Sequence, residues 1–320
     1  MEQLQAGFFE CDEISYLRFK PIIVRYYRII IIFHCPLTKK IREAISFAKS
    51  LNKKILFDID DLTFNIKYAD IISFRNSLSK KQKKVYDDKV NKMRKTLKLY
   101  QGAITTTETL AKELKYYMSN VFVNPNVAGE KMWRISENAL RSKNLKKKDD
   151  HVVIGYFIDR INHNKDLEMV KPVLFRILKK YKNVQLLLLG AFSFDNLMDE
   201  FPSQISIRKF EDWEQIQKII ANIDINIVPI ENSTFNFEYQ NKWIEAALVK
   251  VPTIASNYVE INKIIKPNET GFLCSDLNDW HITLESLINN ESLRKNIGIK
   301  AYQICKEEYN TLNTYKKFVS

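Results

Sequence analysis

The sequence predicts an α/β fold built from two Rossmann-like domains that face each other across a cleft. Three observations predict it. Short apolar runs alternate with amphipathic helical stretches along the 320 residues, the pattern of parallel strands covered by helices. The alternation breaks once, over residues 127–150, and then restarts. Glycine and proline number only 7 and 8, which leaves little room for long irregular segments.

In the first half, residues 27–34 read as a strand. Residues 38–51 read as a helix, because Ile41, Ala44, Ile45 and Ala48 share one face. Residues 54–59 form the next strand, ending in Asp58-Ile59-Asp60-Asp61. A basic helix over 79–100 and a strand over 102–106 follow. Thr107-Glu108-Thr109 is a helix start for residues 110–118, and 121–123 is a fourth strand. Residues 128–150 end in Lys146-Lys147-Lys148-Asp149-Asp150, polar and without period. They read as a linker between an acceptor-side unit at 1–127 and a second unit at 151–320.

In the second half, strands are predicted over 152–157, 184–189, 225–230 and 252–255. Helices are predicted over 213–221 and 242–248, and the stretch from 277 to 309 reads as mainly helical. Leu167, Val170, Leu174, Ile177 and Leu178 mark another helix face, in which Pro172 should produce a kink or lie near the first turn.

Composition narrows the function classes. Lys+Arg is 50 against Asp+Glu 38, a net charge of +12. Such a charge suits an anionic partner such as a nucleotide diphosphate or a lipid surface. No nucleic-acid-binding module accompanies it. The cysteines Cys11, Cys35, Cys274 and Cys305 form no C-x-x-C pair, so neither a zinc site nor a disulfide framework is expected. The most apolar run, residues 29–33, is far shorter than the roughly 18 residues of a membrane span, and residues 1–16 do not read as a signal peptide. The lysine-rich stretch at 80–95 reads as a solvated helix face or as a contact for an anionic membrane.

Ligands of paired βα units bind beyond the carboxyl ends of the strands, so residues just after strands carry the chemistry. Asp58 and Asp60 point to one side of a strand end, and Asp61 adjoins them. Such a cluster can orient acceptor hydroxyls or move protons, although a helix N-cap by Asp60 or Asp61 uses the same residues. We expect no metal there. The segment from Gly155 to Asp166 joins a strand to a helix, where a diphosphate is stabilised by the helix N-terminus. Arg160 and Lys165 there can add charge-assisted bonds. No G-x-G-x-x-G loop is present, so no dinucleotide fingerprint exists. After the strand at 225–230 comes a polar loop with Asn236, then Lys242 and Glu245 three apart on one helix face. His34, His151 and His281 look isolated and receive no role.

The order of Ile154-Gly155-Tyr156-Phe157, His163-Asn164-Lys165-Asp166, Asp224-Ile225-Asn226-Ile227-Val228-Pro229, Lys242-Trp243-Ile244-Glu245-Ala246-Ala247 and Glu269-Thr270-Gly271-Phe272-Leu273 resembles family 4 glycosyltransferases. These are retaining enzymes of the GT-B fold, and the closest likeness is to the bacterial polysaccharide branch. Phe57-Asp58-Ile59-Asp60-Asp61 and Asn124-Pro125-Asn126 resemble the first half of that branch, which here looks shortened. The resemblance implies cytoplasmic transfer of a sugar from a nucleotide diphosphate donor to a glycan or lipid-linked acceptor, with no cofactor or metal. It implies donor contacts by Arg160, His163, Asn164, Lys165, Asn236, Lys242 and Glu245, and catalytic roles for Asp60 and Asp61. The family's first glutamate falls at Phe237 here, which leaves a non-catalytic scaffold subunit as the alternative.

Overall fold

The computed structural model describes residues 2–68, 75, 78–143, 151–157, 164–190, 196–209, 212–230 and 239–314. It contains two parallel sheets. The first has four strands, β1 (Ile29–Phe33), β2 (Lys54–Asp58), β3 (Gly102–Thr105) and β4 (Val121–Val123), in that spatial order. Its helices are α1 (Glu2–Ala6), α2 (Lys39–Ser50), α3 (Lys80–Leu97) and α4 (Glu108–Lys115). The alternating residues Ile32, Ile55, Phe57 and Ala103 share one sheet face. They form one core with Ile41, Ala44, Ile45 and Ala48 of α2, Met93 and Leu97 of α3, and Leu110 and Leu114 of α4. Side chains fix where these helices start. Thr38 accepts from the Ile41 N–H, Thr107 from the Leu110 N–H, and Ser79 forms a capping box with Gln82. Each satisfies a backbone donor that a helix start leaves unpaired.

The second half begins with α5 (Glu130–Lys143) and β5 (Val152–Phe157). Then come α6 (Asn164–Lys180), β6 (Val184–Leu189), α7 (Asn196–Glu200), β7 (Ile205–Arg208), α8 (Trp213–Ala221) and β8 (Ile225–Val228). The chain continues through α9 (Tyr239–Leu248), β9 (Thr253–Ser256), β10 (Phe272–Cys274), α10 (Leu277–Asn289) and α11 (Glu291–Glu308). The strand order is β10-β9-β8-β5-β6-β7, all parallel. One face buries Ile154, Leu186, Leu188, Ile225 and Ile254 against α6 and α10. The other buries Phe157, Leu187 and Leu189 against Ala139 of α5, Ile216 and Ile220 of α8, and Ala246 of α9.

Several elements differ from the sequence reading, which also had no counterpart for α1, α7 and β10. The stretch expected to be a bare linker carries α5 over its first part, and residues 144–150 lie outside the described residues. Ser136 and Ala139 are buried there, while charged residues on the remaining faces mask the period. The strand β7 was not expected because only Ile205 of its four residues is buried, as suits a sheet edge. Pro172 lies inside α6 beyond its first turn, which removes one of the two expected placements. No helix among the described residues is long and apolar enough to cross a membrane.

The two halves meet along several contacts. The Ala128 N–H donates to the Tyr309 carbonyl at 2.8 Å, and Gln3 Nε2 donates to Asn124 Oδ1 and Thr314 Oγ1, each at 3.1 Å. Thr314, just beyond α11, therefore reaches α1.

Candidate functional site

The carboxyl ends of β1 and β2 form one wall of the candidate site. In the parallel register Phe33 lies beside Asp58, so residues just after the two strands emerge together. The His34 N–H donates to the Asp58 carbonyl at 2.9 Å, and His34 adopts a left-handed φ of 45° at the strand end. Its ring reaches Asp61. Nε2 lies 3.1 Å from both Asp61 oxygens and 3.0 Å from Thr63 Oγ1. The Thr63 N–H and Oγ1 also donate to Asp61 Oδ1, at 2.9 and 2.5 Å. Asp61 is thus a fully engaged, half-buried carboxylate.

Charge states follow from these contacts. The hydrogen bond to Asp61 raises the pKa of His34, with the charges of Asp61 and Asp60 adding to it against burial and Lys89. Burial pushes Asp61 upward, but His34 and the two bonds from Thr63 outweigh it and hold the carboxyl below its usual value. Asp58 behaves oppositely. Burial, then the neighbouring charge of Asp60, raises it to about 6. One ionised carboxylate and one that titrates near neutrality therefore stand a few residues apart, which is the arrangement that divides proton-transfer roles. Tyr86 of α3 adds a buried hydroxyl with no hydrogen-bond partner among the described residues, its pKa pushed up to about 12 by burial and by Asp61.

His34, Asp60 and Asp61 each place one ligand-type atom within 4.8 Å of the others, so the donor set could hold a divalent cation. His34 Nε2, however, is already directed at Asp61.

The opposite wall belongs to the second sheet. β5 has β6 on one side and β8 on the other, so the strand order reverses between β5 and β8. Ligands of such sheets bind in the crevice at that reversal. The segments that follow these strands in sequence, 158–163 and 231–238, lie outside the described residues. The helices beyond them are tied together. Tyr239 Oη at the start of α9 donates to the fully buried carboxylate of Asp166 in the first turn of α6. Asn226 Nδ2 donates to Thr253 Oγ1 at 3.1 Å and to the Lys242 carbonyl at 3.3 Å, which fixes α9 against β8 and β9. Trp243, also on α9, is wholly buried and donates to the Thr270 carbonyl at 3.0 Å.

A small crevice between the halves is lined by Thr107 from the first half and by Ile230, Tyr239, Gln240, Tyr258, Glu260 and Ile261 from the second. Thr109 Oγ1 donates to Glu260 across it. The crevice lies beyond β3, β8 and β9, and none of Asp60, Asp61, Lys242 and Glu245 lines it.

The predicted residues fall out as follows. Asp60 and Asp61 lie at the end of β2 and are half-buried. Lys242 and Glu245 share α9, both half-buried. Asn164 and Lys165 open α6, but their side chains lie outside the described residues, as do Arg160, His163 and Asn236 entirely. Sequence reasoning missed His34 and Tyr239. His34 fell inside the strand read over 27–34, and its tie to Asp61 depends on β1 lying beside β2, which neither strand shows alone. Tyr239 carried no signal, because its partner Asp166 is 73 positions away.

Residues 152–290 match the family described as glycosyl transferases group 1. The capsular polysaccharide biosynthesis glycosyltransferase CapM of Staphylococcus aureus is 29% identical over 202 residues, covering 60% of this chain and 51% of that protein. The chain thus spans about half the length of the curated relative it matches. Among solved structures, Anabaena HepE in complex with UDP-glucose is similar with a TM-score of 0.59 and 11% identity, covering 93% of this chain and 80% of HepE. Sucrose-phosphate synthase from Thermosynechococcus elongatus is similar with a TM-score of 0.61 and 15% identity, covering 95% of this chain and 75% of that one. The described strand order, the helix-covered second sheet and these likenesses agree: residues 152–290 match the group 1 glycosyl transferase family, and the chain has the GT-B fold of these solved structures.

Proposed function

We propose that this chain is a glycosyltransferase that moves a sugar from a nucleotide diphosphate donor to an acceptor hydroxyl, with the anomeric configuration retained, in the cytoplasmic synthesis of a surface polysaccharide or glycoconjugate. The observation that carries the reading is the group 1 domain at residues 152–290, whose sheet reverses its strand order beside the crevice between the halves. The capsular polysaccharide role of CapM and the UDP-glucose bound to HepE support the donor class and the pathway type.

In this reading the second half holds the donor. Its diphosphate rests at the start of α6, with Arg160, His163, Asn164 and Lys165 around it, because a helix N-terminus offers unpaired N–H groups and a partial positive charge. Asn236, Lys242 and Glu245 contact the remainder of the nucleotide sugar. Asp60 and Asp61 face the acceptor. Asp61 is kept ionised by His34, so it can orient a hydroxyl or stabilise positive charge that develops on the sugar. In this reading the reaction uses no metal, although His34, Asp60 and Asp61 offer ligand-type atoms within 4.8 Å of one another. An anionic membrane carrying a lipid-linked acceptor would be met by the lysines of 80–95. Val85 is the large apolar side chain exposed on that helix, so the contact would be electrostatic and weakened by salt.

Turnover of radiolabelled nucleotide sugars tests the reading. Glu245→Ala should lower transfer by at least about a hundredfold with the fold retained, and excess EDTA should leave wild-type turnover unchanged. Undiminished transfer by Glu245→Ala removes the donor assignment, and loss of turnover in EDTA removes the metal-free mechanism. Absence of turnover with every donor favours the scaffold alternative.

A further inference from the structure

The two sheets are covered differently. Helices lie on both faces of the second sheet, whereas α2, α3 and α4 all join the core on one face of the first. The other face of the first sheet presents Ile29, Ile31 and Phe33 of β1, Lys54 and Leu56 of β2, Ile104 of β3 and Phe122 of β4. Ile104 in the middle is buried, but exposure on the edge strand β1 reaches 51% at Ile29, 37% at Ile31 and 62% at Phe33. Ile22 and Tyr26, just before β1, are exposed as well. Parallel sheets are ordinarily covered by helices on both faces, and contiguous exposed apolar side chains mark an interaction site.

Charge narrows what covers this face. Residues 14–42 contain seven Lys/Arg and no carboxylate, and the exposed Asp12 just before them accepts from the Tyr27 hydroxyl beside β1. Arg25, Arg28 and Lys54 are exposed around β1. The carboxylate on the face, Asp58, is half-buried at its far end. We propose that this face docks an amphipathic helix of another protein, its apolar stripe lying along Ile29, Ile31 and Phe33 and its acidic flank meeting Arg25, Arg28 and Lys54. A helix is the layer that a parallel sheet takes, and it leaves the unpaired backbone edge of β1 in water. A bilayer would bring that edge's free N–H and C=O groups towards an apolar medium. A two-fold contact with a second copy would set the same cations against each other.

The test uses the full chain and two synthetic helical peptides of about 14 residues, long enough to span β1 at ~1.5 Å per residue. Both carry one Leu/Ile stripe; one is flanked by Glu, the other by Lys. Binding is followed by fluorescence anisotropy at low and high salt. The Glu-flanked peptide should bind at least about tenfold more tightly, with the advantage shrinking in salt. Ile31→Asp and Phe33→Asp should each weaken it by at least about tenfold while the Tm stays unchanged. Should Ile31→Asp not fold, Arg28→Glu, on an exposed side chain, replaces it and should cut the preference for Glu flanks. Equal binding of both peptides, no binding of either, or binding indifferent to these substitutions overturns the proposal. It is equally overturned if phosphatidylglycerol vesicles, and not the peptide, bind in a manner that depends on Ile31, or if Ile31→Asp converts a dimer into a monomer.

Discussion

At the scale of single residues, the end of β2 holds three carboxylates with different tasks. The ion pair of His34 and Asp61 contributes stability in the window where both are charged. That contribution is lost as pH rises through the raised pKa of His34, and lost again as pH falls through the lowered pKa of Asp61. Asp58 has the opposite sign. Its folded pKa of about 6 lies above its ordinary value of 3.8, so the folded state binds the proton more tightly. Its stabilising contribution is complete below the unfolded value and disappears as pH rises through about 6. Asp58→Asn should therefore stabilise the protein at pH 8 by roughly 1–2 kcal/mol more than at pH 4, since each pKa unit is worth about 1.4 kcal/mol before solvent screening. Urea denaturation at the two pH values checks this, and an equal effect at both would contradict the burial argument. Asp60 and Asp61 were legible in the sequence because three aspartates at a strand end are hard to read as anything but a site or a cap. His34 was not. Its role depends on β1 lying beside β2, and pairing of two strands is a tertiary fact that neither strand announces.

At the scale of elements, α2, α3 and α4 were read to within a few residues because their starts are written in side chains: Thr38, Ser79 with Gln82, and Thr107. The helix α5 was hidden because its buried side is narrow and small, with Ser136 and Ala139, and because charges cover the rest. β7 was hidden because an edge strand with three exposed residues shows no apolar run. Packing of α11 shows the reverse case, a constraint written in one glycine. A Cβ placed on Gly298 would stand 2.1 Å from the Lys250 carbonyl oxygen, at the turn that ends α9. Neither backbone can yield without separating α11 from α9. Gly298→Ala should lower stability by about 1–3 kcal/mol, although alanine favours helices by up to about 1 kcal/mol. A Tm at or above that of the wild type would show that the two helices are not held as described.

At the scale of the whole molecule, the described residues combine a first sheet whose α2, α3 and α4 share one face with a second sheet covered on both. The second is the more legible half, since its ordered strand ends and the helix over 239–248 carried the family likeness before any fold was seen. The first half was legible as strands and helices but not as a sheet with one open face, because single strands do not reveal which helices lie over them. The crevice between the halves joins Thr107 and Thr109 to Tyr258 and Glu260, so a ligand held there would couple the two. The central claim is that the second half binds a nucleotide diphosphate sugar. Thermal denaturation with UDP, GDP, dTDP and CMP and their common sugar conjugates tests it most directly. A ligand at a hundred times its Kd adds about 2.7 kcal/mol, a rise of roughly 5 °C for a protein of this size. The account predicts such a rise for one nucleotide diphosphate and its sugar conjugate, and its loss in Glu245→Ala. No rise with any nucleotide at millimolar concentration would contradict it.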